Sequence, residues 1–422
     1  MHVLSSTVRD YDWGSPTGIP EILGLRPDGT PAAELWIGAH PGAPSRIADT
    51  DLQEWIARAP AERLGAASVE AYGERLPFLL KILSARTALS IQAHPSREQA
   101  IAGFAREDEA GVPLDAPHRS YRDSWHKPEL IHALGEFHAL CGFRPIPAIR
   151  ATLDRLRSVC AAGDTALVDA WDAALADGDE ANALRAATDL VLGQGEDYGP
   201  LADRLAALSV PEVPADDPSC AGSTVDPLVT LREVVADFPA DPGALVAVML
   251  RRLHLAAGES LALDAGVLHA YLGGLGVEIM ASSDNVLRGG LTNKHIDLSE
   301  LDVVVRYDTV APQRAQPDSA GVVRGATDDF ALQRIDSAVD RPIVRSGAAI
   351  LLCTAGGFAV RSGEEAAELS SGDAVFVGAD EPLPHVSGDG ALFIATTGLP
   401  TGAEDATAAR PSAGAAGAGG RR

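Results

Sequence analysis

The chain has 422 residues, of which 46% are hydrophobic and 22% charged, a balance that suits a folded protein of two or three domains. Lys and Arg number 34 against 59 Asp and Glu, for a net charge of −25. Such a surface argues against nucleic acid or an anionic membrane as partner, and any anion site must be a local basic pocket.

The cysteines, Cys141, Cys160, Cys220 and Cys353, have no paired spacing, so reduced, buried thiols are expected. No apolar run approaches the ~20 residues of a membrane helix. The first residues, Met1 to Ser6, lack the basic and apolar parts of a signal peptide, and a cytoplasmic protein is expected.

In chain order, residues up to about Phe143 read as short strands and turns. Glu34-Leu35-Trp36-Ile37-Gly38 alternates like a strand, and a short helix is predicted from Leu52 to Ala59. The run Phe78-Leu79-Leu80-Lys81-Ile82-Leu83 suits a packed sheet. In Ser90-Ile91-Gln92-Ala93-His94-Pro95, alternation puts Ser90, Gln92 and His94 on one face, with Leu89, Ile91 and Ala93 on the other. Polar groups so placed need partners if buried, and a metal ion satisfies two at once. An exposed strand face explains the same pattern.

From Pro147 to about Leu208 the apolar spacing turns helical, with stripes at Ile149, Leu153, Leu156 and at Leu167, Trp171, Leu175. A Pro/Asp-rich linker, Pro211 to Pro218, comes next, then helices predicted at Pro227 to Val235 and Pro242 to Leu253. Strands resume at Leu255. The segment 255–265 echoes 369–379: each has a Gly-acid turn, alternating apolar residues and a following histidine, His269 or His385. Paired units of this kind suggest two antiparallel barrels or jelly rolls. The expected fold is mainly β with a helical insertion: a discontinuous catalytic domain (1–145 and 254–320), helices over 146–253 and a second β domain over 321–400. The Ala/Gly-rich tail, 401–422, is expected to be disordered.

Gln92, His94, Glu129 and His269 together offer two imidazoles, a carboxylate and an amide oxygen. That set suits Zn2+, and also Fe2+ or Mn2+. Taken singly, each has a plainer reading: His94 donating to a carbonyl, Glu129 pairing with Lys127 or Arg122, His269 in a turn.

Three stretches carry a family resemblance: Ser90 to Pro95, His126-Lys127-Pro128-Glu129, and Asp284-Asn285-Val286-Leu287-Arg288-Gly289-Gly290-Leu291-Thr292-Asn293-Lys294-His295. With Asp12-Trp13-Gly14, Glu34 to Gly38 and Leu268-His269-Ala270-Tyr271, they make the chain similar to the type I phosphomannose isomerases. The resemblance implies two cupin-like β domains around a helical one. It also implies a monomer that interconverts mannose 6-phosphate and fructose 6-phosphate through an enediol, with one Zn2+ per chain. Carried over by motif, Gln92, His94, Glu129 and His269 are its ligands and Arg288 is the catalytic arginine. The first ligand is Gln rather than the wider cupin His, and the carboxylate is remote from Gln-x-His; both departures match the isomerase branch. His385 has no such partner, so the second barrel is expected to be metal-free.

Lys127, Glu278, Asp284 and water at the metal are candidates for the proton-carrying base. Ser90, Lys294 and Tyr271 are candidate substrate contacts, with Lys127 as a further cation for the phosphate. Two rival readings are an isomerase of another aldose phosphate and a non-catalytic metal-binding cupin that senses or stores a sugar phosphate.

Overall fold

The computed structural model describes residues 1–400; the tail expected to be disordered lies outside the described residues. Alternation along the strands sets the architecture. In the strand Ala349–Ser362, Ala349, Leu351 and Cys353 enter one apolar core while Ile350 and Leu352 enter another. The same division marks Phe78–Ala85, where Leu80 and Ile82 turn one way and Leu83 and Ala85 the other. A strand buried on both faces must belong to a sheet that curls round one core and leans on a second.

Two antiparallel sheets do this. The first has ten strands, centred on Glu129–Phe143 and His269–Ala281, with Phe78–Ala85, Glu34–Ile37 and Thr7–Arg9 on one side and Ser260–Leu263 and Arg314–Ala315 on the other. The short strands Gln92–Ala93 and Leu287–Arg288 extend it beside His269. The second sheet has seven strands: Val322–Val323, Ala331–Pro342, Ala349–Ser362, Glu365–Ser370, Ala374–Val377 and His385–Thr396, plus His2–Leu4 from the far N-terminus. The expected unit 1–145 therefore begins on a strand of the other sheet. Each sheet encloses its own apolar interior, and the back faces share one core that joins Leu80, Ile82 and Ile279 to Ile350, Phe376 and Phe393.

Between the two halves of the first sheet lie helices Ile146–Arg157, Ala162–Ala174, Glu180–Gly193, Gly195–Ala206, Pro227–Asp237 and Gly243–Met249. The stripes Ile149/Leu153/Leu156 and Trp171/Leu175 face one core, which also takes in Ile91, Ala93 and Leu287. The last helix is shorter than predicted. It stops at Met249, and Leu250–Leu255 forms a strand beside Glu129–Phe143. An apolar run of this length suits either structure, and pairing with an open sheet edge decided it. No described helix is long and apolar enough to cross a membrane.

Candidate metal centre and active-site cleft

Ile91 and Ala93 anchor their strand in the helical core, which turns Gln92 to the interior of the first sheet. Gln92 stands directly opposite His269 on one side and Arg288 on the other. Directly opposed residues share a face at about 5 Å. Amide, imidazole and guanidinium thus come from three neighbouring strands onto one wall.

His94, Glu129 and His269 converge beside that wall, all buried, with ligand atoms within 4.8 Å of one another. His94 Nε2 lies 3.3 Å from Glu129 Oε1, and His269 Nε2 lies 3.4 Å from Glu129 Oε2. His94 Nδ1 meets the Asn285 carbonyl at 2.7 Å and His269 Nδ1 meets that of Val267 at 2.9 Å. A carbonyl only accepts, so both Nδ1 atoms carry the proton and both Nε2 atoms present lone pairs to the centre. Yet His94 Nε2, His269 Nε2 and Glu129 Oε2 are shielded from solvent without a hydrogen-bond partner. Buried acceptors left facing one another repel, and such an arrangement requires a cation. A zinc-sized ion fits: ligands ~2.0–2.1 Å from a tetrahedral centre stand ~3.3 Å apart.

Charges nearby hold the donors ready. Burial, followed by the Lys127 ammonium, pushes His94 down to about 4, which keeps the imidazole neutral. Burial alone would raise the Glu129 carboxyl, but Lys127, 2.9 Å away, and His94 outweigh it and keep it ionised.

Beside the centre opens a cavity of about 680 Å3, lined among others by Ser90, Gln92, Lys127, Glu129, Tyr271, Glu278, Arg288 and Lys294. Neither the Arg288 guanidinium nor the Lys294 ammonium has a carboxylate or hydrogen-bond partner among the described residues. Burial and the positive charge of Arg122 lower the pKa of Arg288, and burial with Arg288 and Arg122 lowers that of Lys294. These unpaired cations leave a local basic face inside an acidic molecule, suited to a phosphate or oxyanion. Tyr271 lines the same cavity, its hydroxyl close to Glu278 but short of hydrogen-bond geometry.

Asp284 is placed elsewhere. Its half-exposed carboxylate faces His40 at 3.4 Å in a separate cavity, because its peptide N–H is tied to Asp123 and turns the side chain outward. In the second sheet, His385 sits at the surface against the Asp340 carbonyl at 3.1 Å.

Lys81 enters the sequence reading only as part of an apolar run, yet it is central. Its ammonium lies 3.1 Å from Glu34 and 3.0 Å from Glu278, fully inside the sheet. Burial would strip its proton, but the two carboxylates outweigh that and raise its pKa. Glu278 moves upward, through burial first, with Lys81 opposing. A lone lysine inside a buried strand was itself the missed signal, since a charge survives there only when paired.

Comparison with known proteins agrees with this geometry. Residues 1–146 match the family described as phosphomannose isomerase type I, catalytic domain. The chain is 36% identical over 407 residues to the mannose-6-phosphate isomerase of Salmonella typhimurium, covering 93% of this chain and 98% of that one. It is 35% identical over 404 residues to the Escherichia coli protein of the same name, covering 93% and 98%. A crystal structure of mannose 6-phosphate isomerase bound with zinc and yttrium superposes with a TM-score of 0.82 at 35% identity, covering 94% of this chain and all of that one. With identity this high over nearly the whole length of both chains, the protein belongs to the type I phosphomannose isomerase family.

Proposed function

We propose that the chain interconverts mannose 6-phosphate and fructose 6-phosphate, with one Zn2+ held by His94, Glu129, His269 and the Gln92 amide oxygen. The observation that carries this is the set of buried, partnerless donor atoms on three residues beside a cavity with unpaired cations. When bound, zinc supplies a Lewis acid for the C1 and C2 oxygens.

The chain's own groups do the rest. Arg288 and Lys294, with Ser90, hold the phosphate and the developing oxyanion. Lys127, paired with Glu129 at 2.9 Å, serves as an electrostatic clamp on that ligand. Asp284, outside the cavity, has no part in proton transfer. Glu278 carries the proton between C2 and C1: its raised pKa suits a base that gives the proton back, and Lys81 orients it. Tyr271 closes the wall behind it. The reading includes a cytoplasmic monomer that takes a free sugar phosphate, whose charge needs the local basic face of Arg288 and Lys294 inside a molecule of net charge −25.

The test couples isomerase turnover to metal analysis. Chelation should abolish activity and Zn2+ restore it. Glu278→Gln should stop exchange of the C2 hydrogen with solvent while one zinc per chain remains. Full activity in metal-free protein, or metal binding without turnover of any aldose phosphate, would sink the proposal and favour the non-catalytic reading.

A further inference from the structure

Two ligands of the proposed centre are fastened to one loop. Glu129 starts its strand four residues after Trp125. His94 donates to the carbonyl of Asn285, and Asn285, fully buried, spans the same loop. Its Nδ2 donates to the Trp125 carbonyl at 2.7 Å, and its Oδ1 accepts from the Arg122 amide at 2.7 Å. Wherever residues 122–126 sit, they carry with them the orientation of His94 and the start of the Glu129 strand.

That loop is held from the other sheet. Asp329, only 4% exposed, stands two residues before the strand Ala331–Pro342. Its Oδ1 accepts from Trp125 Nε1 at 3.1 Å, and its Oδ2 meets His126 Nε2 at 2.9 Å, with the Thr327 hydroxyl as a further donor. The Arg97 guanidinium lies 3.2 Å from the centre of the Trp125 ring, and Arg75 lies 4.8 Å from it. A buried carboxylate with three donors is a rigid anchor, since each of those charge-assisted bonds is costly to leave unmade. Its place at the edge of the second sheet is what a purely internal packing role for that sheet does not account for.

We infer that Asp329 is a positioning residue for the metal centre. Through Trp125 and His126 the second β domain fixes the loop that orients His94 and Glu129. This rests on the metal reading proposed above and adds that the affinity of the site is set from the neighbouring domain. Groups that orient ligands from behind change metal affinity ~10–100-fold when lost.

The test uses the full chain, with Zn2+ affinity measured by chelator competition and the Co2+ absorption spectrum as the probe of ligand geometry. Asp329→Ala and Trp125→Phe should each weaken Zn2+ binding ~10-fold and shift the Co2+ bands. The phenylalanine keeps an aromatic ring for Arg97 and loses the Nε1 donor together with the second ring of the indole. Asp329→Asn, with one acceptor left, should fall between. Arg334→Ala removes another contact between the sheets, the 3.2 Å approach to His132 Nε2, and should lower thermal stability without changing either metal readout. Wild-type affinity and spectrum in folded Asp329→Ala, or an equal loss in Arg334→Ala, would overturn the inference. If Asp329→Ala does not fold, Trp125→Phe decides by the same readouts. A wild-type chain that binds zinc tightly but turns over no sugar phosphate would end the isomerase reading and leave this one standing; a chain that binds no metal would end both.

Discussion

Of the cations that line the cavity, Lys81 and Lys127 are paired with carboxylates while Arg288 and Lys294 are not, and that imbalance is the chemically informative one. Arg288→Ala should lower kcat ~100-fold or more while zinc content stays at one per chain, measured by steady-state kinetics with metal analysis. A variant that loses metal yet keeps activity per bound zinc would contradict its placement at the oxyanion. Lys81 behaves differently, because its buried ammonium joins two buried carboxylates and losing it leaves them without a counter-charge. Lys81→Met should therefore destabilise the fold by ~3–5 kcal/mol, read from denaturant unfolding. A neutral or stabilising change would show that the Lys81 ion pairs with Glu34 and Glu278 do not hold the fold together. Gln92, His94, Glu129 and Arg288 were legible as chemistry from their motifs. Asp284 was legible only as a carboxylate near Arg288; that its side chain points away depends on a backbone bond to Asp123 that no spacing encodes.

Among the elements, the short strand Leu287–Arg288 depends on the two glycines after it. Gly290 has φ of 123°, in the left-handed region, and a methyl there would collide with the backbone of Gly243 at the start of its helix. Arg-Gly-Gly is thus a packing requirement of the helical insertion as well as part of a functional motif. Gly290→Ala should move Arg288 off Gln92, cutting turnover by an order of magnitude with little change in zinc content. Unchanged kinetics would mean the strand is positioned by Gln92 alone. The amphipathic helices were legible because their stripes are long. The end of the Gly243–Met249 helix was not, because Leu250–Leu255 is apolar enough for either structure and a sheet edge competes for it.

Over the whole molecule, the two sheets meet through a buried shared core and a few polar contacts that a pH change can probe. His132, on the first sheet, bonds Ser260 at 2.9 Å and faces Arg334 of the second at 3.2 Å. Burial and then Arg334 push its pKa down to about 4 from the ordinary 6.5. The unfolded chain therefore takes up a proton first as pH falls. The stabilisation from neutral His132 is complete above about pH 6.5 and declines through the window down to about pH 4. Between pH 7 and pH 5 the wild type should lose ~2 kcal/mol more than His132→Gln, by denaturant titration at each pH. Parallel losses in the two proteins would show that His132 is not held neutral.

From the order of its residues alone, this chain declares its helical insertion and its paired β units, because each is written in local spacing and side-chain type, and its motifs carry the family resemblance that implies the donor set. Only the tertiary structure decides which donors meet, that Lys81 lies between two carboxylates, and that Asp329 reaches the loop behind the metal centre. Those facts depend on strand register and on contacts between residues tens to about two hundred positions apart, where burial sets the cost of every unpaired charge.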